Sequence, residues 1–386
     1  MLSGRPSTNT FSSMNNQSQL RVAVIGGGVI GVSSAYHLAR RGARVWLVTE
    51  GALASGASGR SLSWLNSAAI RSEHYHQLRM AGIDRYRTLF ARQPDRNWLR
   101  FDGGLSWQPA DLLDVQTTIH AHQLAHGYES QLLNPDDVEA RIPGINPEAI
   151  PASGAMWNPA EGWVDLPSLI NYLAEELVGM GSELILNAGE ASVSANAGHV
   201  TKISTEAQGT IEVDAALMAT GWRVPQMAAQ LGVAIPDATS MALLVKTDPV
   251  QTQLRAVLNT PRASVRRTPD GALVVDSGWT VPYIEVRPDG TCAVPAEIIE
   301  QLLAEASRLI VGTPRLTAAT YGIGPKPVPA DDEPVLGQLG DNDGLYVAFT
   351  HSGATLALII GELLAYEITS GQPHPLLAPF TARRFT

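Results

Sequence analysis

The stretch RVAVIGGGVIGVSSAYHLARRGARVWLVTE, residues 21 to 50, constrains the fold more than any other part of the chain. A run rich in β-branched residues, Val22 to Ile25, meets Gly26-Gly27-Gly28-Val29-Ile30-Gly31. A helical pattern follows, with Ala35, Leu38 and Ala39 on one face. Gly42 ends that helix, Val45 to Val48 form a second strand, and Glu50 closes the unit. Each part has a physical task in a strand–turn–helix unit that binds a dinucleotide. Gly26 permits the tight turn, Gly28 lets the backbone approach a pyrophosphate, and Gly31 lets helix pack close to strand. The amides at the helix start, from Val29 and Ile30 onward, face the anion. Glu50 accepts hydrogen bonds from both ribose hydroxyls of an adenosine and repels a 2′-phosphate, so the ligand is FAD or NAD and not NADP. The glycines do not choose between those two.

With 386 residues, 45% of them hydrophobic, the chain can bury a large core, and its length favours two domains. The formal charge of −10 comes from scattered acids, and no basic stripe offers to neutralise phosphates, so a nucleic-acid partner is not expected. Residues 1–19 are rich in Ser, Asn and Thr and lack an apolar core, which reads as a flexible tail and not as a signal peptide. The apolar run ATLALIIGELLAYEI carries Glu362 and Glu367 at helical spacing and reads as a buried helix, so no membrane span is expected. The single cysteine, Cys292, fits a reducing compartment, and a cytoplasmic location is expected. An oligomer is possible.

Three later stretches choose the cofactor. EGWVDLPSLINYLAEELVGMGSELILNAGEASV, then DAALMATGW, then GPKPVPADDEPVLG followed by LYVAFTHSGATLALIIGELLAYEI occur in that order. Together with the glycine unit they resemble the D-amino-acid oxidase superfamily, the flavoprotein group that contains glycine oxidase and sarcosine oxidase. The resemblance runs from about Arg21 to Phe385.

It implies an α/β plus α+β fold: a Rossmann-like, discontinuous FAD-binding domain with a substrate domain built on a large antiparallel β-sheet. On that basis residues 20–98, 151–235 and 321–386 form the FAD-binding domain, and 99–150 and 236–320 the substrate domain. The residues point the same way. Ser58, Gly59, Arg60 and Ser61 can contact pyrophosphate and ribityl oxygens, and Thr220, Gly221 and Trp222 end a strand beside the dinucleotide. Val193 stands where the family holds adenine by backbone groups. SVRRTPDGALVVDS reads as a hairpin turning at Pro269-Asp270-Gly271. The proline-rich YGIGPKPVPADDEPVLG is expected to return the chain beneath the flavin without regular secondary structure.

The cofactor carries the chemistry of hydride transfer to flavin N5, and the protein supplies position and charge. Ser352, Gly353, Ala354 and Thr355 open the last helix, whose N–H groups can stabilise negative charge on the flavin pyrimidine edge. His351 adds a hydrogen bond or a positive charge there, or serves as a cap. Covalent attachment is not expected, because Cys292 lies far upstream of the place where sarcosine oxidases keep their cysteine. The loop after the second strand also lacks histidine.

Relatives acting on amino acids hold the substrate carboxylate with buried cations, commonly an arginine in the pattern G-x-R-P. Here Gly322-Ile323-Gly324-Pro325 puts glycine in that place. The family's lysine in the closing helix falls on Ala357, and its loop cation falls on or near Leu62. Either the substrate carries no carboxylate there, or a displaced cation, Arg60, Arg266 or Lys326, holds it. Trp64, Trp279 and Tyr283 are aromatic candidates for the pocket wall. The resemblance thus implies an FAD enzyme oxidising a CH–NH bond of an amine or N-substituted amino acid to an imine, with O2 as acceptor. The alternatives are a dehydrogenase passing electrons to a quinone or partner subunit, a flavin-binding subunit without turnover, and an NAD dehydrogenase.

Overall fold

In the computed structural model, residues 19–196 and 198–385 are described. The tail expected at 1–19 lies outside them except for Gln19, whose side-chain amide donates to the Gly42 carbonyl at 2.8 Å.

Strand β1 (Arg21–Ile25) is buried along Val22–Ile25 and lies at the centre of a six-stranded sheet. Its parallel neighbours are β2 (Arg44–Val48) on one side and Ala215–Met218 on the other. The order across the sheet is 335–338, 345–349, 215–218, β1, β2 and 183–185, and only Val335–Gln338 runs antiparallel. Helix α1 (Val29–Arg40) starts at Gly28. It packs against the closing helix Gly353–Ser370 so closely that a Cβ on Gly361 would stand 2.4 Å from the Ser33 hydroxyl. Helix α2 (Glu73–Arg92) makes a similar approach: a Cβ on Gly82 would meet the Thr355 carbonyl at 2.3 Å. The closing helix is long and apolar enough to cross a bilayer, yet it lies buried between these two helices.

The second sheet has eight strands in the order 318–326, 240–247, 273–276, 264–267, 257–259, 104–106, 155–158 and 131–133. All its pairings are antiparallel except 257–259 with 104–106. Val265, Leu273, Val275, Leu243 and Val245 point to one face, where the helix Ala296–Arg308 covers them in a separate core. The opposite face carries Ser264, Arg266, Asp276, Gly322 and Gly324, by the alternation of strand side chains.

Two stretches lie elsewhere than the domain assignment placed them. Ala155–Asn158 belongs to the eight-stranded sheet, and so do residues 321–326, which continue the strand Ala318–Lys326. The first half of the proline-rich segment is therefore a strand and not an irregular return. Pro325 is tolerated because this is the edge strand, paired only with 240–247 on one side, so its missing N–H costs no ladder bond.

Candidate active site

A cavity of about 1040 Å³ runs between the two sheets, from Glu50 at the end of β2 to His351 before the closing helix. At one end the glycine turn forms a cradle that side chains would fill. Gly26 has φ +126°, and a Cβ there would stand 2.3 Å from the Ala219 carbonyl oxygen. Gly31 lies outside the lining and instead permits close packing, since its Cβ would meet the Gly26 carbonyl at 2.0 Å. The first turn of α1 holds no acidic residue, and the Val29 amide donates to Ser58 Oγ at 3.0 Å. This puts the 55–61 loop directly against the anion-binding end of the helix. The cradle, the helix end and the terminal carboxylate fit a dinucleotide such as FAD.

Gly26, Gly28, Val29, Ile30, Glu50, Ser58, Arg60, Ser61, Thr220, Gly221, Trp222, His351, Ser352, Gly353, Ala354 and Thr355 all line the cavity, as do Trp64, Gly324 and Lys326. Five further sequence candidates do not. A Cβ on Gly59 would meet the Ala54 carbonyl at 2.3 Å, so that glycine permits the loop's shape but does not line the site. Val193 packs against a core that includes Ile203 and Val213, and Glu190 and Ala191 reach the cavity in its stead. Trp279 donates to the Arg262 carbonyl at 2.8 Å and stacks on that guanidinium, while Tyr283 is half exposed beside it. Arg266 is 2% exposed, because its Nε donates to the Leu62 carbonyl at 2.5 Å and Asp165 lies 3.7 Å from its Nη2. It faces the right side of the sheet but serves the loop above it.

His351 lines the cavity, yet its positive form is disfavoured. The ring is open to the cavity, and the water it loses to the surrounding walls, together with the charges of Lys326, Arg79 and Arg71, pushes its pKa down to about 4. It offers a hydrogen bond at neutral pH and no charge.

The Arg60 side chain lies along the edge strand. A Cβ on Gly322 would meet its Cδ at 2.6 Å, and one on Gly324 would meet its Nη2 at 2.4 Å. Its Nη1 donates to the Ser55 carbonyl at 2.7 Å.

Several cavity residues carried no motif. Arg79 is buried on α2, where its Nη1 donates to Ser352 Oγ and its Nε to the Asn66 carbonyl at 2.9 Å. Tyr75 donates to the same Ser352 oxygen at 2.7 Å. The side chain that would cap the closing helix is thereby held by α2, leaving the first amides of that helix facing the cavity. The visible signal was an arginine on the face of α2 shared by Tyr75, Gly82 and Tyr86. Arg71 also lines the cavity, with its Nε lacking a hydrogen-bond partner. At the adenosine end Arg223 pairs with Glu50 at 3.0 Å and with Glu190. Trp64 donates to the buried Glu161 at 2.7 Å, and Tyr128 to its other oxygen.

The family model described as DAO, FAD dependent oxidoreductase, matches residues 21–367. An opine oxidase subunit of Agrobacterium tumefaciens is 23% identical, over 95% of this chain and 98% of its own. Glycine oxidase of Geobacillus kaustophilus is 26% identical, over 94% and 96%. Among solved structures, the L-amino acid deaminase of Proteus myxofaciens superposes with a TM-score of 0.81 at 18% identity, over 96% of this chain and 94% of that one.

Proposed function

The chain belongs to the family of FAD-dependent oxidoreductases, and on that premise we propose that it oxidises the CH–NH bond of an N-substituted amino acid to an imine. FAD is its cofactor, and it acts on amino acids or amines. Bound FAD supplies the acceptor for the hydride lost from the α-carbon. The chain's own residues supply position and charge.

The observation that carries this reading is the Arg60 side chain laid along the edge strand, with its methylenes over Gly322 and its guanidinium over Gly324 in the cavity wall. A substrate carboxylate left unpaired in such a cavity costs several kcal/mol, and a guanidinium offsets that with paired, charge-assisted hydrogen bonds. Arg60 thus supplies from the loop what the resemblance leads one to seek on the strand, and Lys326 adds a second cation to the same wall. The amides that open the closing helix stabilise negative charge at the cofactor. FAD is held without a covalent bond: Cys292 is absent from the cavity lining, and residues 51–66 contain no histidine. The electron acceptor is O2.

Anaerobic mixing tests the reading. N-substituted amino acids should bleach the flavin absorbance, and the matching hydroxy acids should not. Bleaching by carboxyl-free amines alone would refute it. A second reading, a dehydrogenase that hands electrons to a partner, draws on the likeness to an opine oxidase subunit over 95% of the chain. Oxygen consumption against dye reduction with one substrate separates the two.

A further inference from the structure

The cavity holds one carboxylate on the substrate side that no pairing described above uses. Asp276 ends the strand Leu273–Asp276, directly opposite Ser264 on one neighbour and Leu244 on the other. Leu244 in turn lies opposite Gly322. Ser264, Asp276, Leu244 and Gly322 therefore form a row across four strands on the face that looks toward the cavity. Arg60 covers the Gly322 end of that row with its methylenes and places its guanidinium two residues further along the edge strand, over Gly324. At a strand spacing of about 4.8 Å and a rise of about 3.3 Å per residue, the backbones of Asp276 and Gly324 stand roughly 12 Å apart. A cation and an anion thus face each other diagonally across the strand 240–247, whose Ala242 lines the cavity opposite Gly324, and a zwitterion fits that span once the two side chains lean inward.

We propose that Asp276 receives the substrate's ammonium group and takes its proton before oxidation, making this an enzyme for zwitterionic amino acids. The inference rests on the reaction proposed above and names the group that prepares its nitrogen. An ammonium nitrogen has no lone pair to push electrons as the α-hydride leaves, so the N–H bond must break first. The proton goes to the Asp276 carboxylate, giving a neutral acid beside a neutral amine. Burial favours that neutral pair over two desolvated charges.

The surroundings suit the task. Among the described residues Asp276 forms no ion pair within 4.0 Å, so its charge is free for a ligand. Burial pushes its pKa up to about 6, opposed by the Ser264 hydroxyl and by the charge of Lys326 on the edge strand. The flanking strands present uncharged Ser264 and Leu244, and the Arg60 guanidinium lies on the far side of the 240–247 strand, over Gly324. His351, neutral above about pH 4, shares the same Lys326 field. A base with a pKa near 6 is ionised at neutral pH and close enough to it to exchange protons readily.

The test uses the FAD-loaded full chain in wild-type, Asp276→Asn and Asp276→Glu forms. One arm measures calorimetric binding of 2-aminoisobutyrate, which has no α-hydrogen to lose, against its hydroxy isostere. Wild type should prefer the amino compound at pH 7, Asp276→Asn should lose at least tenfold of that preference, and Asp276→Glu should keep part of it. The other arm measures kcat/KM for an N-methyl amino acid from pH 5 to 10. Asp276→Asn should fall about 10²-fold or more at pH 7 and recover as the free amine becomes available at high pH. Equal preference and equal pH profiles in wild type and Asp276→Asn would overturn the inference while leaving amine oxidation intact. Wild type that binds the amino compound through Asp276 but never bleaches would instead overturn the oxidase reading alone.

Discussion

Arg60 and Gly324 share one volume: a Cβ on Gly324 would stand 2.4 Å from Nη2 of Arg60 and 2.8 Å from its Cζ. The colliding atoms are the far end of a flexible side chain, so the arginine and not the backbone would give way. Gly324→Ala should therefore cost less than about 1 kcal/mol of stability, within the range of mild substitutions. It should nevertheless raise KM for a carboxylate-bearing substrate several-fold. Thermal midpoints and KM from the same preparations decide it.

Gly26 offers no such escape. Its φ of +126° disfavours any side chain, and its Cβ would meet backbone, the Ala219 carbonyl, at 2.3 Å. Gly26→Ala should lower stability by about 2 kcal/mol or more and empty the protein of FAD, read from the visible absorbance of the purified protein.

The parts of this molecule that were plain in the sequence are those where backbone chemistry dictates the residue. The glycine turn, Glu50 and the helix opening at Ser352 all line the cavity, since a turn or a helix terminus limits what can stand there. The residues that escaped notice, Arg79, Asp276, Arg223 and Glu161, are single polar groups whose partners lie far along the chain. Arg79 meets Ser352 across 273 residues. Arg266 faces the expected side of its sheet yet misses the cavity for a related reason: strand alternation gives the face, but only tertiary packing shows that the Leu62 carbonyl accepts from its Nε.

A pH prediction comes from His351. Its pKa in the fold, about 4, lies below its ordinary 6.5, so the unfolded chain binds more protons between those values. Its contribution to stability is present above pH 6.5 and is lost as pH falls through 4. His351→Asn should flatten the urea midpoint between pH 6.5 and 4, and should leave the kcat/KM profile from pH 6 to 8 unchanged in shape.

Glu161 behaves in the opposite sense. Burial pushes its pKa up to about 8, against the hydrogen bonds from Tyr128 and Trp64 and the charge of Arg79. The folded chain thus keeps a proton that the unfolded one releases above about pH 4.5. Its favourable contribution is complete below that pH and is lost as pH rises through 8. Glu161→Gln imitates the protonated carboxyl, so it should match wild type in urea midpoint at pH 5 and exceed it at pH 9. Glu161→Ala should instead free the Trp64 indole at the cavity wall and leave Tyr128 without its acceptor, at a cost of about 1–3 kcal/mol.

The most direct measurement concerns the displaced guanidinium: kcat/KM for an N-methyl amino acid and for the same amine without its carboxyl, in wild type, Arg60→Met and the double variant Arg60→Ser/Gly324→Arg. Losing a charge-assisted pair costs about 1.5–3 kcal/mol, so Arg60→Met should lose about 10- to 150-fold on the amino acid and little on the bare amine. The double variant, which returns the guanidinium to the strand, should recover much of that loss. An equal fall on both substrates, or no fall on either, would contradict the role given to Arg60.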